Sequence, residues 1–359
     1  MAGLPAGMNA LMATAQALMA PGKGLLAMDE SVDTCNRRLA EFGIAQTEAS
    51  RRRYRQLLVT APGLGDAISG AILFDETLHQ HTDDGVPFAD VLRASGVVVG
   101  IKVDAGAKAL AGHPGERITE GLDGLRERLH HYRSLGARFA KWRAVLALAD
   151  GLPSRACTAA NAHALARYAA LCQAAQLLPI VEPEVLMDGD HTLARCADVT
   201  AEVLHQVFEQ LHRQGVALEA VILKPNMVLP GLACAEAASL DDVADATLGC
   251  LLRAVPAAVA GIAFLSGGQP AELATARLNA MHLRSNSHVS APAAAPHSLP
   301  WPVTFSFGRA LQQPALSLWK GSDANRVAAQ QALLHRARCN GAAALGAWRP
   351  ALEAPGAQA

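Results

Sequence analysis

Residues 220–226 read Ala220-Val221-Ile222-Leu223-Lys224-Pro225-Asn226. The apolar, β-branched run is that of a fully buried strand, and it closes on a lysine followed by proline, which has no N–H to continue a ladder. A lysine at the end of a buried strand loses hydration, which disfavours the ammonium form and favours a nucleophilic amine. The structural alternative is a lysine that reaches back to water.

Similar runs lie on either side. Leu25-Leu26-Ala27-Met28 stops at Asp29, Gly70-Ala71-Ile72-Leu73-Phe74 at Asp75, and Val97-Val98-Val99-Gly100-Ile101 at Lys102. Phe139-Ala140 precedes Lys141 and Arg143, and Leu178-Pro179-Ile180-Val181 precedes Glu182 and Glu184. Ile262-Ala263-Phe264-Leu265 leads into Ser266-Gly267-Gly268, and Val303-Thr304-Phe305 into Ser306, Gly308 and Arg309. From Lys102 onward the endings recur about every 40 residues, room for a strand, a loop and a helix each time. Roughly eight such βα units predict an α/β fold, a single (β/α)₈ TIM barrel whose chemistry gathers at the C-terminal ends of its strands. The barrel is expected over 1–345, with 346–359 as a flexible C-terminal tail.

Aromatic residues make up only 4% of the 359-residue chain against 51% hydrophobic, so Ala, Val and Leu must fill the interior. A net charge of −1 gives no global field to draw nucleic acid or an anionic membrane. The seven cysteines (Cys35, Cys157, Cys172, Cys196, Cys234, Cys250 and Cys339) form no C-x-x-C pair, as expected of reduced cytoplasmic thiols. Residues 1–22 lack the positive region of a signal peptide. Met8, Leu11, Met12, Ala15, Leu18 and Met19 instead predict an N-terminal amphipathic helix packed on the barrel. The uncharged stretch 254–271 is interrupted by Pro256, Gly261, Gly267, Gly268 and Pro270 and reads as strand and phosphate loop, so no membrane segment is expected.

Helices are expected over 47–58, 159–176 and 200–214. Arg51, Arg52, Arg53 and Arg55 in the first read as a solvated helix face. The stretch 283–302 reads as an irregular insertion, and its His288 and His297 lack ligand spacing and nearby carboxylates, so no metal is expected.

Period-two alternation puts Lys141 with Arg143, and Glu182 with Glu184, on shared strand faces. Lys141, Glu182 and Lys224, on successive strands, can then converge as amine, carboxylate and amine, able to relay protons around a carbonyl adduct or simply to form an ion network. Ser266-Gly267-Gly268 offers unobstructed backbone N–H groups, and Arg309 a guanidinium fork, after the last two strands, where barrels commonly bind phosphate. Ser31, Thr34, Arg37, Arg38 and Lys102 can hold a second phosphate opposite. A nucleophilic amine between two anion sites suggests a bisphosphorylated ketose.

The segments Gly22 to Ser31, Gly100 to Asp104, Phe139 to Arg143, Pro179 to Glu184, Leu223 to Met227, Phe264 to Gln269 and Phe305 to Gln312 together resemble class I fructose-bisphosphate aldolase, in order, from about Met8 to about Leu345. The resemblance implies reversible cleavage of fructose 1,6-bisphosphate to dihydroxyacetone phosphate and glyceraldehyde 3-phosphate. It implies Lys224 as the Schiff-base lysine, Glu182 as acid/base, Asp29 as a carboxylate aiding carbon–carbon cleavage, and Lys141 as an electrostatic partner. Ser266, Gly267, Gly268, Ser306, Gly308 and Arg309 would hold the 1-phosphate end, and Ser31, Thr34, Arg38, Lys102 and Arg143 the 6-phosphate end. No cofactor is implied, and a cytoplasmic homotetramer acting on small sugar phosphates is. Alternatives are a Schiff-base aldolase that prefers a monophosphate such as fructose 1-phosphate, and a weakly catalytic barrel used as a scaffold. The chain departs from the family pattern at Val32-Asp33-Thr34-Cys35-Asn36, where Asp33 brings a negative charge to the second phosphate, and in the 283–302 insertion. It also ends Ala354 to Ala359 without the tyrosine that animal members use in proton transfer, as bacterial members do, so another acid or water would take that task.

Overall fold

The computed structural model describes residues 7–287 and 299–354. Eight parallel strands close a barrel in sequence order: β1 (Gly24–Met28), β2 (Ile68–Leu73), β3 (Val98–Lys102), β4 (Phe139–Leu146), β5 (Leu178–Val185), β6 (Ile222–Leu223), β7 (Gly261–Phe264) and β8 (Val303–Phe307). Helices connect them and form the outer layer. Every apolar run read as a strand is one, because each is buried on both faces, by neighbouring helices outside and by the barrel interior inside. The expected α/β barrel is the fold.

The expected N-terminal helix spans Met8–Leu18 and buries Met8, Leu11, Ala15 and Leu18 under the barrel. Its end plugs the barrel floor. A Cβ at Gly70 would lie 2.4 Å from Leu18, one at Gly261 2.6 Å from Met19, and one at Gly100 2.1 Å from the Phe139 ring. Large side chains from the helix and from β4 thus fill the volume that three strand glycines leave open. The lower half is packed with apolar side chains, Leu25, Ile72, Phe139, Leu178, Ile180, Ile222 and Ala263 forming one cluster.

Ser31, Thr47, Ser154, Thr192 and Ser239 each accept a hydrogen bond from the third backbone N–H of the helix they open, as N-caps do. The three expected helices run Glu48–Val59, Arg155–Ala174 and Leu193–Arg213. The arginine run requires a correction. Arg52 and Arg53 are only part-buried, but Arg51 and Arg55 are buried against carboxylates that fold against them: Arg51 pairs with Glu76, and Arg55 Nη1 lies 2.8 Å from Glu30. A hairpin of Ala107–Ala109 with Arg117–Thr119 follows β3 and leans over the mouth.

Residues 283–287 of the expected insertion continue the helix Ala271–Ser287, whereas 288–298, with His288 and His297, lie outside the described residues. Past residue 345, Trp348 donates its indole N–H to Glu353 at 2.8 Å, and Glu353 forms a two-pronged pair with Arg336. Residues 355–359 lie outside the described residues. Among the described residues no helix is long and apolar enough to cross a membrane.

Candidate active site

The strand ends surround a cavity of about 940 Å³. Lys224 stands just past β6, a strand of two residues, and its backbone N–H donates to Val181 at 2.8 Å, extending the pairing to β5 by one step. Pro225 ends that ladder. Asn226 then secures the chain, its side-chain oxygen accepting from Val185 N–H at 3.0 Å and its amide donating to Thr200 and Met227. The lysine is thereby held in a fixed direction.

Four charged side chains form an alternating row on the cavity floor. Lys224 Nζ lies 2.9 Å from Glu182 Oε1, Glu182 Oε2 is 2.9 Å from Lys141 Nζ, and Lys141 Nζ is 2.7 Å from Asp29 Oδ2. The three in-barrel side chains are only 3–4% exposed. Each carboxylate of the row has a lysine nitrogen within 2.9 Å, and that pairing is what makes ions this deep tolerable. Burial acts to raise the Asp29 carboxyl, but Lys141, Lys224 and Lys102 outweigh it and hold it well below the usual carboxylate range. For Glu182 burial again acts upward and is overcome by Lys141, Lys224 and Arg143. Burial acts to lower the Lys141 ammonium, but Asp29, Glu182 and Asp104 reverse this and push it well above the usual lysine range. Lys141 is a fixed cation, and Asp29 and Glu182 are anions across the neutral range.

Ser266, Gly267, Gly268, Ser306, Gly308 and Arg309 line the cavity. Gly267 and Gly268 take positive φ (56° and 84°), and Ser306 Oγ is buried without a protein partner. Only glycine adopts such successive backbone values without strain, and the turn carries no side chain to obstruct its N–H groups. Ser31, Asp33, Thr34, Arg38, Lys102 and Arg143 also line it. Several of these carry commitments that sequence reasoning missed. Ser31 Oγ caps the following helix, accepting from Thr34 N–H at 3.4 Å. Lys102 is 2.9 Å from Asp104, and Arg143 pairs with Glu184. Arg38 is buried and contacts Glu30 and Gln312, although its Nε and Nη2 remain without partners in the protein. Arg37 does not line the cavity.

Glu30 is the main residue not foreseen. It follows Asp29 directly, is gripped by Arg38 and Arg55, and accepts from Gln312 Nε2 at 2.9 Å; Gln312 also donates to the Ala27 carbonyl at 2.6 Å and accepts from Tyr54. This buried set fixes the end of β1 and hence the direction of Asp29. Asp104, Lys108 and Arg128 also line the cavity. Asp104 was within reach of sequence reasoning, since it follows Lys102 by two; Lys108 and Arg128 carried no periodic signal.

Fold and site together define a (β/α)₈ barrel with an amine–carboxylate–amine row at its mouth, among glycine turns and basic side chains. Comparison with known proteins makes this specific. The family model for fructose-bisphosphate aldolase class-I matches residues 10–359. A probable fructose-bisphosphate aldolase class 1 of Xanthomonas axonopodis pv. citri is 55% identical over 337 residues, covering 94% of this chain and 97% of its own. The fructose-bisphosphate aldolase of Dictyostelium discoideum is 48% identical, covering 94% and 92%. The solved fructose-bisphosphate aldolase of Plasmodium falciparum superposes with a TM-score of 0.91 at 44% identity, covering 96% of this chain and 97% of that one. The chain belongs to the class I fructose-bisphosphate aldolase family and is an enzyme of that class.

Proposed function

We propose that the chain cleaves fructose 1,6-bisphosphate reversibly to dihydroxyacetone phosphate and glyceraldehyde 3-phosphate, with Lys224 as the covalent nucleophile. The observation that carries this reading is Glu182 lying 2.9 Å from both Lys224 and Lys141. The Lys224 amine adds to the C2 carbonyl of the open-chain ketose. Glu182 takes a proton from the nitrogen and returns one to the carbinolamine hydroxyl, which leaves as water, and an iminium ion remains. Asp29, ionised in the free site, accepts the C4 hydroxyl hydrogen bond and takes its proton as the C3–C4 bonding electrons move into the iminium. Glyceraldehyde 3-phosphate departs. The enamine left on Lys224 is protonated at C3, and water then releases dihydroxyacetone phosphate. Lys141, a permanent cation between Asp29 and Glu182, keeps both carboxylates charged and directs them.

Ser266, Gly267, Gly268, Ser306, Gly308 and Arg309 bind the 1-phosphate; Ser31, Thr34, Lys102 and Arg143, with the unpartnered donors of Arg38, serve the 6-phosphate. A monophosphate preference is the second reading, and Asp33 is the observation favouring it, an exposed carboxylate lining the 6-phosphate side. Residues 1–345 are taken as one barrel and 346–359 as a C-terminal tail, within which Glu353 is held by Arg336 and Trp348. We take the working form to be a cytoplasmic homotetramer, on the family resemblance, which sedimentation of the purified chain tests.

Lys224→Met is the direct test of the nucleophile. Cleavage in a coupled assay should fall to background, because the relay then lacks its amine, while the fold persists by circular dichroism. Turnover within tenfold of wild type would reject the reading.

A further inference from the structure

His79, just past the turn Asp75–Leu78, and His131, on the helix Leu125–Ser134, meet outside the cavity lining. Their Nε2 atoms are 3.4 Å apart and both residues are exposed. The ring centroids are 5.7 Å apart, as far as two imidazoles can lie at that nitrogen spacing, so the rings point end to end. The tautomers follow from the partners. His79 Nδ1 lies 2.9 Å from the Asp75 carbonyl, which can only accept, so Nδ1 carries the proton and Nε2 presents its lone pair. His131 Nε2 is then the donor across the gap.

We propose that this pair is a site for a divalent transition cation of the zinc, cobalt or nickel class, which takes the place of the shared proton. Two Zn–N bonds of about 2.0–2.1 Å at a tetrahedral angle put their nitrogens about 3.4 Å apart, the spacing already present. The rings have only to swing from end-on to converging, which exposed side chains do readily. His79 already has the hydrogen bond that orients a metal-binding imidazole, its far N–H donated to a backbone carbonyl. His131 needs only to move its proton to Nδ1, so binding to the neutral pair releases none. A bound ion would tie the turn to the helix beside Asp75 and Tyr132, which line the cavity and are joined by a Tyr132 hydroxyl to Asp75 hydrogen bond of 2.8 Å. A three-residue set of ligand-type atoms among the described residues, His335, Cys339 and Glu353, is compromised because Arg336 and Trp348 engage Glu353.

The test is titration of the metal-free full-length chain with Zn²⁺ by calorimetry and with Co²⁺ by visible spectroscopy. One site per chain is expected, with d–d bands and no thiolate charge-transfer band. His79→Ala and His131→Gln, the second of which can still hydrogen-bond to His79, should each weaken affinity by more than the about 10–100-fold that loss of an outer-shell partner costs. Both variants should retain wild-type aldol cleavage without metal, which verifies their fold. Absence of binding to the wild type overturns the proposal. So does binding that survives both substitutions, or a thiolate band abolished by Cys339→Ser, which would move the ion to the C-terminal set.

Discussion

Replacing Lys141 by methionine removes the cation between two buried carboxylates and keeps most of the side chain's volume. Its two contacts, at 2.7 and 2.9 Å, each carry roughly 6 kcal/mol of attraction at an effective dielectric constant near 20. Much of that is offset by desolvation, and unpairing a buried ion costs about 3–5 kcal/mol net. At roughly 2 °C per kcal/mol for a large domain, the unfolding midpoint should fall by on the order of 6–10 °C at pH 8. The pH dependence carries the diagnostic sign. In the wild type the Asp29 carboxyl lies below its unfolded value of about 3.9, so its stabilising contribution is present above that pH and is lost as pH falls through the folded value. Without Lys141, burial acts with less opposition and the folded value rises, as it does for Glu182. The variant's native state then takes up a proton at higher pH than the wild type's, and the gap between the two midpoints should narrow as pH is lowered from 8 to about 5. Thermal scans at four pH values measure this without recourse to activity. A midpoint equal to wild type at pH 8, or a gap that widens on acidification, would refute the idea that the row is held together by mutual charge.

Lys102→Ala should lower kcat/KM for fructose 1,6-bisphosphate by on the order of tenfold or more, the equivalent of one charge-assisted contact at about 1.5–3 kcal/mol, and leave fructose 1-phosphate nearly unaffected; equal losses on both substrates would displace the 6-phosphate site. Lys102 is a cleaner probe than Arg38, whose removal also releases Glu30 behind Asp29. Asp33→Gly should improve the bisphosphate selectively, and no change in the ratio would clear Asp33 of any role in substrate choice. Gly100→Ala forces a methyl to within 2.1 Å of the enclosed Phe139 ring and should cost about 1–3 kcal/mol, read as a lower denaturant midpoint; an unchanged midpoint would mean the barrel floor can give way.

The strands and the buried charged row were legible because both obey local rules. Each strand is a short apolar run, and each polar residue of interest sits at the end of one, where a barrel must place it. Period-two alternation sufficed to bring Lys141, Glu182 and Lys224 together. What escaped depends on distant partners. Arg51 and Arg55 belong to a helix whose charge pattern looks solvated, and only folding brings Glu76 and Glu30 against them. Residue type alone points Arg38 to phosphate, but its Nη1 is engaged by Glu30 and by Gln312, the latter 274 residues away. The hairpin over the mouth, with strands of three residues each, is too short to carry a period. The His79–His131 pair joins two segments with no sequence relation.

The central claim is that Lys224 forms the covalent bond to substrate. Borohydride reduction in the presence of dihydroxyacetone phosphate, followed by proteolysis and mass mapping, should find one modified residue per chain, Lys224, and none in Lys224→Met. An adduct on Lys141 or Lys102, or no adduct in an active enzyme, would contradict the account.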